Sequence, residues 1–176
     1  RPLPYNDWKL AFLAGYIVNT HHSYVRKSLP DLRGYALKVA QVHGDRHPEL
    51  IPIQRLVEEV NSELSEHQVK EETILFPFIK ELVSAKDRSQ SPNTAQFGSV
   101  ENPIHMMEDE HEHVGKCMED IRTLSNNYAL PEDACASYSL LFKMLNDFEE
   151  DLHIHIHLEN NILFPKAIAL EKHLNP

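Results

Sequence analysis

The stretch His67-Gln68-Val69-Lys70-Glu71-Glu72-Thr73-Ile74-Leu75-Phe76-Pro77 returns 88 residues later as His155-Ile156-His157-Leu158-Glu159-Asn160-Asn161-Ile162-Leu163-Phe164-Pro165. Both copies read His-x3-Glu-x2-Ile-Leu-Phe-Pro, and each is preceded by a further His, His22 by 45 residues and His111 by 44. The chain therefore reads as two related halves. Around each copy the apolar residues recur at steps of three and four, the spacing of one helix face. Val60, Leu64, His67, Glu71, Ile74 and Phe78 form one such stripe, and Leu141, Leu145, Phe148, Leu152, His155, Glu159 and Ile162 another. Ile104, Met107, His111, Val114, Met118 and Ile121 form a third.

Breakers set the expected boundaries. Pro30, the turn His43–Pro48, the polar stretch 84–103 and Asn126–Pro131 leave four long helices, at about 6–43 with a break or kink near Pro30, about 48–82, about 103–127 and about 131–172. Pro48, Pro103 and Pro131 suit first helical turns, where the missing N–H is not needed. The expected fold is all-α, a four-helix bundle of two helical hairpins joined by the 84–103 linker. The 176 residues make one domain.

Composition excludes several functions. Asp and Glu outnumber Lys and Arg 27 to 17, which argues against nucleic acid and anionic membrane as partners. Leu10–Val18 is the longest apolar run, far short of the ~20 residues of a membrane span. Asp7 before it, and the lack of a small-x-small cleavage site, argue against a signal peptide. Two Cys, Cys117 and Cys135, give no disulfide scaffold. On the adjacent helices they stand ~15 Å apart in height, so both are expected reduced, in a cytoplasmic protein. The twelve His stand out.

Placing His and Glu on apolar stripes costs several kcal/mol unless each is compensated, and a carboxylate is the worst case. No Lys or Arg lies on these stripes. A bound cation supplies the charge, and imidazole with carboxylate is a ligand set for iron, manganese or zinc. Residues four apart differ by ~40° and ~6 Å of rise, so His67 with Glu71, and His155 with Glu159, can each reach one centre. The first helix adds His21 or His22, since Leu10, Ala14, Ile17, His21 and Tyr24 make nearly as good a stripe as Ala11, Gly15, Val18, His22 and Val25. The third adds His111. Four His and two Glu exceed one ion but suit two if the carboxylates bridge, leaving about one open position per ion for oxygen, nitric oxide or water once an oxo or hydroxo bridge is counted. In the second hairpin His111 and His155 stand ~12 Å apart in height if the turn centres near residue 129, so either the third helix runs past Tyr128 or the fourth begins irregularly.

At these residues the chain resembles hemerythrin-like domains, and more closely the di-iron "repair of iron centres" family. The matching stretches are His21-His22-x-Tyr24-x-Arg26, Leu29-Pro30, Lys38-Val39-Ala40-x-Val42-His43-Gly44, His47-Pro48-Glu49-Leu50, both His-x3-Glu motifs, Asn102-Pro103-Ile104 and Glu110-His111, spanning about residues 16–166. The resemblance implies a pair of non-haem iron ions held by His22, His67, Glu71, His111, His155 and Glu159, with the two Glu bridging. It implies a role in restoring iron–sulfur clusters damaged by nitric oxide or peroxide, with iron–sulfur proteins as iron acceptors. The alternative is a module that binds or senses oxygen or nitric oxide without turnover. Oxygen-carrying hemerythrins place a second His four residues after the third-helix ligand, where this chain has Gly115, which argues against reversible oxygen carriage. Family members often carry a short N-terminal domain with a vicinal Cys pair, absent from these residues, so a thiol-dependent step would need an upstream piece or another protein. A homodimer is compatible with the family.

The remaining polar residues are expected in supporting positions. His43 and His47 cap the first hairpin's turn, His153 and His157 face solvent, and Tyr24, two residues from His22, is placed to support the metal ligands.

Overall fold

The computed structural model describes residues 3–93, 95 and 97–175. Four long helices carry the chain, α1 over residues 10–43, α2 over 50–87, α3 over Glu101–Leu124 and α4 over 136–174, after a short 3-10 turn at Tyr5–Asp7. Among the described residues there is no strand, and no helix is long and apolar enough to cross a membrane. The bundle has two apolar cores. One, with Val25, Leu32, Val60, Leu64, Val114, Ile121, Leu145 and Phe148, fills the half nearest the hairpin turns. The other, with Leu13, Ile17, Phe76, Ile79, Ile104, Leu158 and Phe164, fills the opposite half. The buried His and Glu lie between them.

Three of the four helices widen where they pass that layer. Ile17–His22, Glu71–Leu75 and Glu159–Leu163 each make a π turn, in which an extra residue is accommodated and the inward face slips by one position. This explains why two stripes competed in α1. Ala14 and Ile17 of the first face inward up to the start of the turn, and His22 and Val25 of the second face inward from its last residue on. The slip also corrects the stripe expected for α2. Ile74 is exposed and Phe78 half-buried, while Leu75, Phe76 and Ile79 take the inward positions. The widened turns of α2 and α4 precede Pro77 and Pro165, neither of which has an N–H to give.

Other boundaries differ from expectation for local reasons. Pro30 does not break α1, and it lies on the exposed face, where the carbonyl it leaves unpaired is open to solvent. The linker is shorter than 84–103, since α2 continues to Asp87 and α3 begins at Glu101. Of the two ways to level the second hairpin, the irregular start of α4 is the one observed. The third helix stops at Leu124, and Asn126, Asn127 and Tyr128 take left-handed backbone. The fourth starts only at Ala136. His111 is 13 residues from Leu124 and His155 is 19 from Ala136, so the irregular stretch makes up a difference of about 9 Å at 1.5 Å per residue.

His43 and His47 do more than cap their own turn, since they fasten it to that stretch. His47 Nε2 donates to Asp133 at 2.8 Å, and His43 Nε2 lies 3.2 Å from Cys135 Sγ. Both Cys are free thiols, Cys117 buried and Cys135 exposed.

Candidate metal centre

Each hairpin delivers its ligating atoms to the level between the two cores. His22, Glu71, His155 and Glu159 form one group, and His67, Glu71, His111 and Glu159 a second, with the potential ligand atoms of each group within 4.8 Å of one another. The two groups share both Glu residues. All six side chains are buried, Glu71 and Glu159 completely. The structure thus brings together every residue expected at the centre, and it separates His22 from His21, which joins neither group.

In three of the four His the outer nitrogen fixes what the inner one can do. His22 Nδ1 donates to Glu72 at 2.8 Å, His67 Nδ1 to Glu110 at 2.9 Å, and His111 Nδ1 to Asn160 at 2.8 Å. A neutral imidazole that donates through Nδ1 presents a lone pair at Nε2. Those Nε2 atoms converge: His22 Nε2 lies 3.0 Å from Glu71 Oε1, His67 Nε2 3.3 Å from Glu71 Oε2, and His111 Nε2 3.3 Å from Glu159 Oε1. His155 Nε2 packs against Glu159 Oε2, and His67 Nε2 and His111 Nε2 face each other at 3.1 Å. Phe76 stacks on the His22 ring and Phe164 on the His111 ring, each from the repeat of the same hairpin.

Electron-rich atoms in such proximity require a positive centre. Glu71 Oε2, both Glu159 oxygens and both His155 nitrogens are buried with no hydrogen bond. Without a metal only protons can fill the role. Burial pulls the His67 imidazole down, but the Glu71 carboxylate, with Glu159 and Glu110, more than reverses this and holds it at about 9. Burial pushes Glu159 up, but His155 and His111 hold it well below the usual carboxylate range. His22 and His111 are raised in the same way, by Glu71 and Glu159 against the opposing effect of burial. A layer that binds protons this firmly can exchange them for a cation of suitable softness. Imidazole and carboxylate donors fit iron, manganese or zinc.

Sequence reasoning missed the supporting residues. Tyr24 stacks against Phe148 in the neighbouring core, and Glu72, Glu110 and Asn160 hold the imidazoles instead. A signal was present, because Glu72 and Asn160 occupy the same place in the two repeats, immediately after each central Glu. The π turns bring them round to the His of the preceding helix. Glu72 is shared with Arg26, and Glu110 accepts from Lys70 Nζ at 2.8 Å. His153 and His157 are exposed, as expected.

Residues 14–167 match the model of the hemerythrin HHE cation binding domain. The chain is 39% identical over 165 residues to a probable iron-sulfur cluster repair protein of Haemophilus influenzae, covering 92% of this chain and 68% of that one. It is 37% identical over 168 residues to the iron-sulfur cluster repair protein YtfE of Escherichia coli O81, covering 94% and 70%. The corresponding protein of Citrobacter koseri is 36% identical over the same length and the same shares. With this bundle, this buried His and Glu layer and these relatives, the chain belongs to the hemerythrin HHE cation-binding family, among the kin of the iron–sulfur cluster repair proteins.

Proposed function

We propose that this protein restores iron–sulfur clusters damaged by nitrosative or oxidative stress, and that a pair of iron ions is held by His22, His67, Glu71, His111, His155 and Glu159 and supplied from there. The carrying observation is the sharing of Glu71 and Glu159 between two groups of ligating atoms, each completed by two His. That arrangement suits two ions with bridging carboxylates. It gives each ion four protein ligands, fewer than the six that iron accommodates, which favours exchange over permanent retention. Bound iron supplies Lewis acidity and one-electron chemistry. The chain's own residues hold the His22, His67 and His111 imidazoles in their Nε2-presenting form, exclude water with Phe76 and Phe164, and carry protons when the ions leave. The relatives' names point to iron–sulfur proteins as the recipients.

The test uses an iron–sulfur enzyme bleached by nitric oxide. Incubation with the iron-loaded protein is expected to restore its activity in step with iron leaving this chain. A stable oxygen or nitric oxide adduct that retains all its iron, with no recovery of the enzyme, would overturn this reading in favour of a gas-binding module.

A further inference from the structure

A second cluster of metal-ligating side chains lies outside the central layer, where α2 faces α3. Glu59 and Glu63 are four apart on α2 and share one face. His113 and Cys117 are four apart on α3 and face them. His113 Nε2 donates to Glu59 Oε1 at 3.0 Å, and the ligating atoms of Glu59, Glu63 and His113 all lie within 4.8 Å of one another. Cys117 Sγ is 4.0 Å from the same His113 Nε2. We propose that Glu59, Glu63 and His113, with Cys117 beside the imidazole, form a separate surface site for one divalent transition ion.

Cys117 distinguishes this cluster from an ordinary exposed ion pair. Cys117 is 5% exposed, and among the described residues its sulfur meets one hydrogen-bonding group, the His113 imidazole. Burial pushes its thiol pKa up, and the Glu59, Asp120 and Glu63 carboxylates push it further. Among the described residues no Lys or Arg pairs with Glu59 or Glu63, so two carboxylates meet one imidazole with no permanent cation between them. The layout repeats that of the central layer, two i,i+4 pairs on facing helices.

The donor set decides which ions fit. Two carboxylates alone would suit magnesium or calcium, but an imidazole with a thiol within reach favours softer ions such as ferrous iron, cobalt or zinc. With His113 and Glu59 about half exposed, the ion exchanges freely with solvent. The site shares no ligand with the central layer, so it stands or falls apart from the proposed function.

Cobalt(II) titrated into the iron-loaded protein tests this. The expected result is one cobalt bound per chain with no iron displaced, a thiolate-to-cobalt absorption band, and no competition from magnesium at equal concentration. His113→Ala is expected to weaken that cobalt by about 10- to 100-fold or more, since loss of a direct ligand costs at least as much as loss of a supporting residue. Glu59→Gln with Glu63→Gln should do the same. Cys117→Ser should keep a weakened cobalt and lose the absorption band. Cobalt taken up only in exchange for iron, or binding unchanged in His113→Ala, would overturn the proposal. Binding abolished by His153→Ala would place the ion at the exposed pair His153 and His157 and overturn it equally. A band that persists in Cys117→Ser would remove the thiol from the site.

Discussion

The two halves of the bundle supply the same three ligating groups, two His and one Glu, to the central layer but support them unequally. In the first hairpin the residue after the central Glu is Glu72, and it holds His22 with a full negative charge. In the second it is Asn160, and it holds His111 with a neutral amide. The residue before each first His differs more. Glu110 precedes His111 and anchors His67 Nδ1. His21 precedes His22 and cannot do the same for His155. Its Nδ1 is turned to Asp151 at 3.0 Å, its Nε2 has no partner, and its ring stacks on that of His155, whose own Nδ1 is unpartnered. The position flanked by His67 and His111 thus has both imidazoles hydrogen-bonded, and the position flanked by His22 and His155 has one. Near-identical repeats can build a symmetric ligand set while divergent neighbours make its two positions unequal.

The largest effects should come from what the halves share. Because Glu71 and Glu159 each belong to both groups, Glu71→Leu or Glu159→Leu should bring iron below two per chain by metal analysis, whereas His43→Leu, at the far end of the bundle, should leave it near two. Two irons in both Glu variants would break the shared-carboxylate account. Metal should also stabilise the whole bundle. At a thousandfold excess over Kd the linkage is about 4 kcal/mol, a rise of roughly 8–16 °C in Tm for a chain of this size, read by calorimetry with and without chelator.

The next effect sharpens the inequality itself. Glu110→Gln should weaken the ion beside His67, and Glu72→Gln the ion beside His22, each by about 10- to 100-fold, as loss of a supporting hydrogen bond does at other metal sites. In the unaltered protein a chelator should remove the ion beside His22 and His155 first, giving two kinetic phases of equal amplitude. A single phase would erase the difference between the positions.

The smallest effect is the pH dependence of the metal-free protein. His67 is raised from 6.5 to about 9, so its contribution to stability is fully present below pH 6.5 and is lost as pH rises toward 9. Glu159 is lowered, so its contribution is present above 4.5, its ordinary value, and is lost as pH falls through its depressed value. Metal-free protein should therefore melt highest between about pH 4.5 and 6.5. The gap in Tm to the iron form should widen from pH 6.5 to 9, as protons cease to compete for His67. A metal-free Tm that climbs over that interval would contradict the pairing of His67 with Glu71.

The repeat, the helices and the stripe positions of His67, Glu71, His111, His155 and Glu159 were legible in the sequence because each rests on spacing along one helix, whereas spacing alone left His21 and His22 undecided. What spacing could not reveal was where the spacing itself changes. A π turn shifts the inward face by one residue, so the register that places Leu64 and His67 correctly misplaces Ile74 and Phe78. Pro77 and Pro165, standing inside helices, were the available signs of that distortion. The supporting residues were hidden for a related reason, since Glu72 and Glu110 act across to another helix. The late start of α4 rests on three successive left-handed residues, Asn126, Asn127 and Tyr128, and Tyr is not a residue that advertises such a backbone.

The central claim is that two ions lie side by side and share Glu71 and Glu159. Anomalous diffraction at the iron edge, from crystals of the iron-loaded protein, tests it most directly. Two peaks are predicted, one between His22 and His155 and the other between His67 and His111, each in contact with both Glu side chains. A single peak in the layer, or two peaks that share neither carboxylate, would contradict the account.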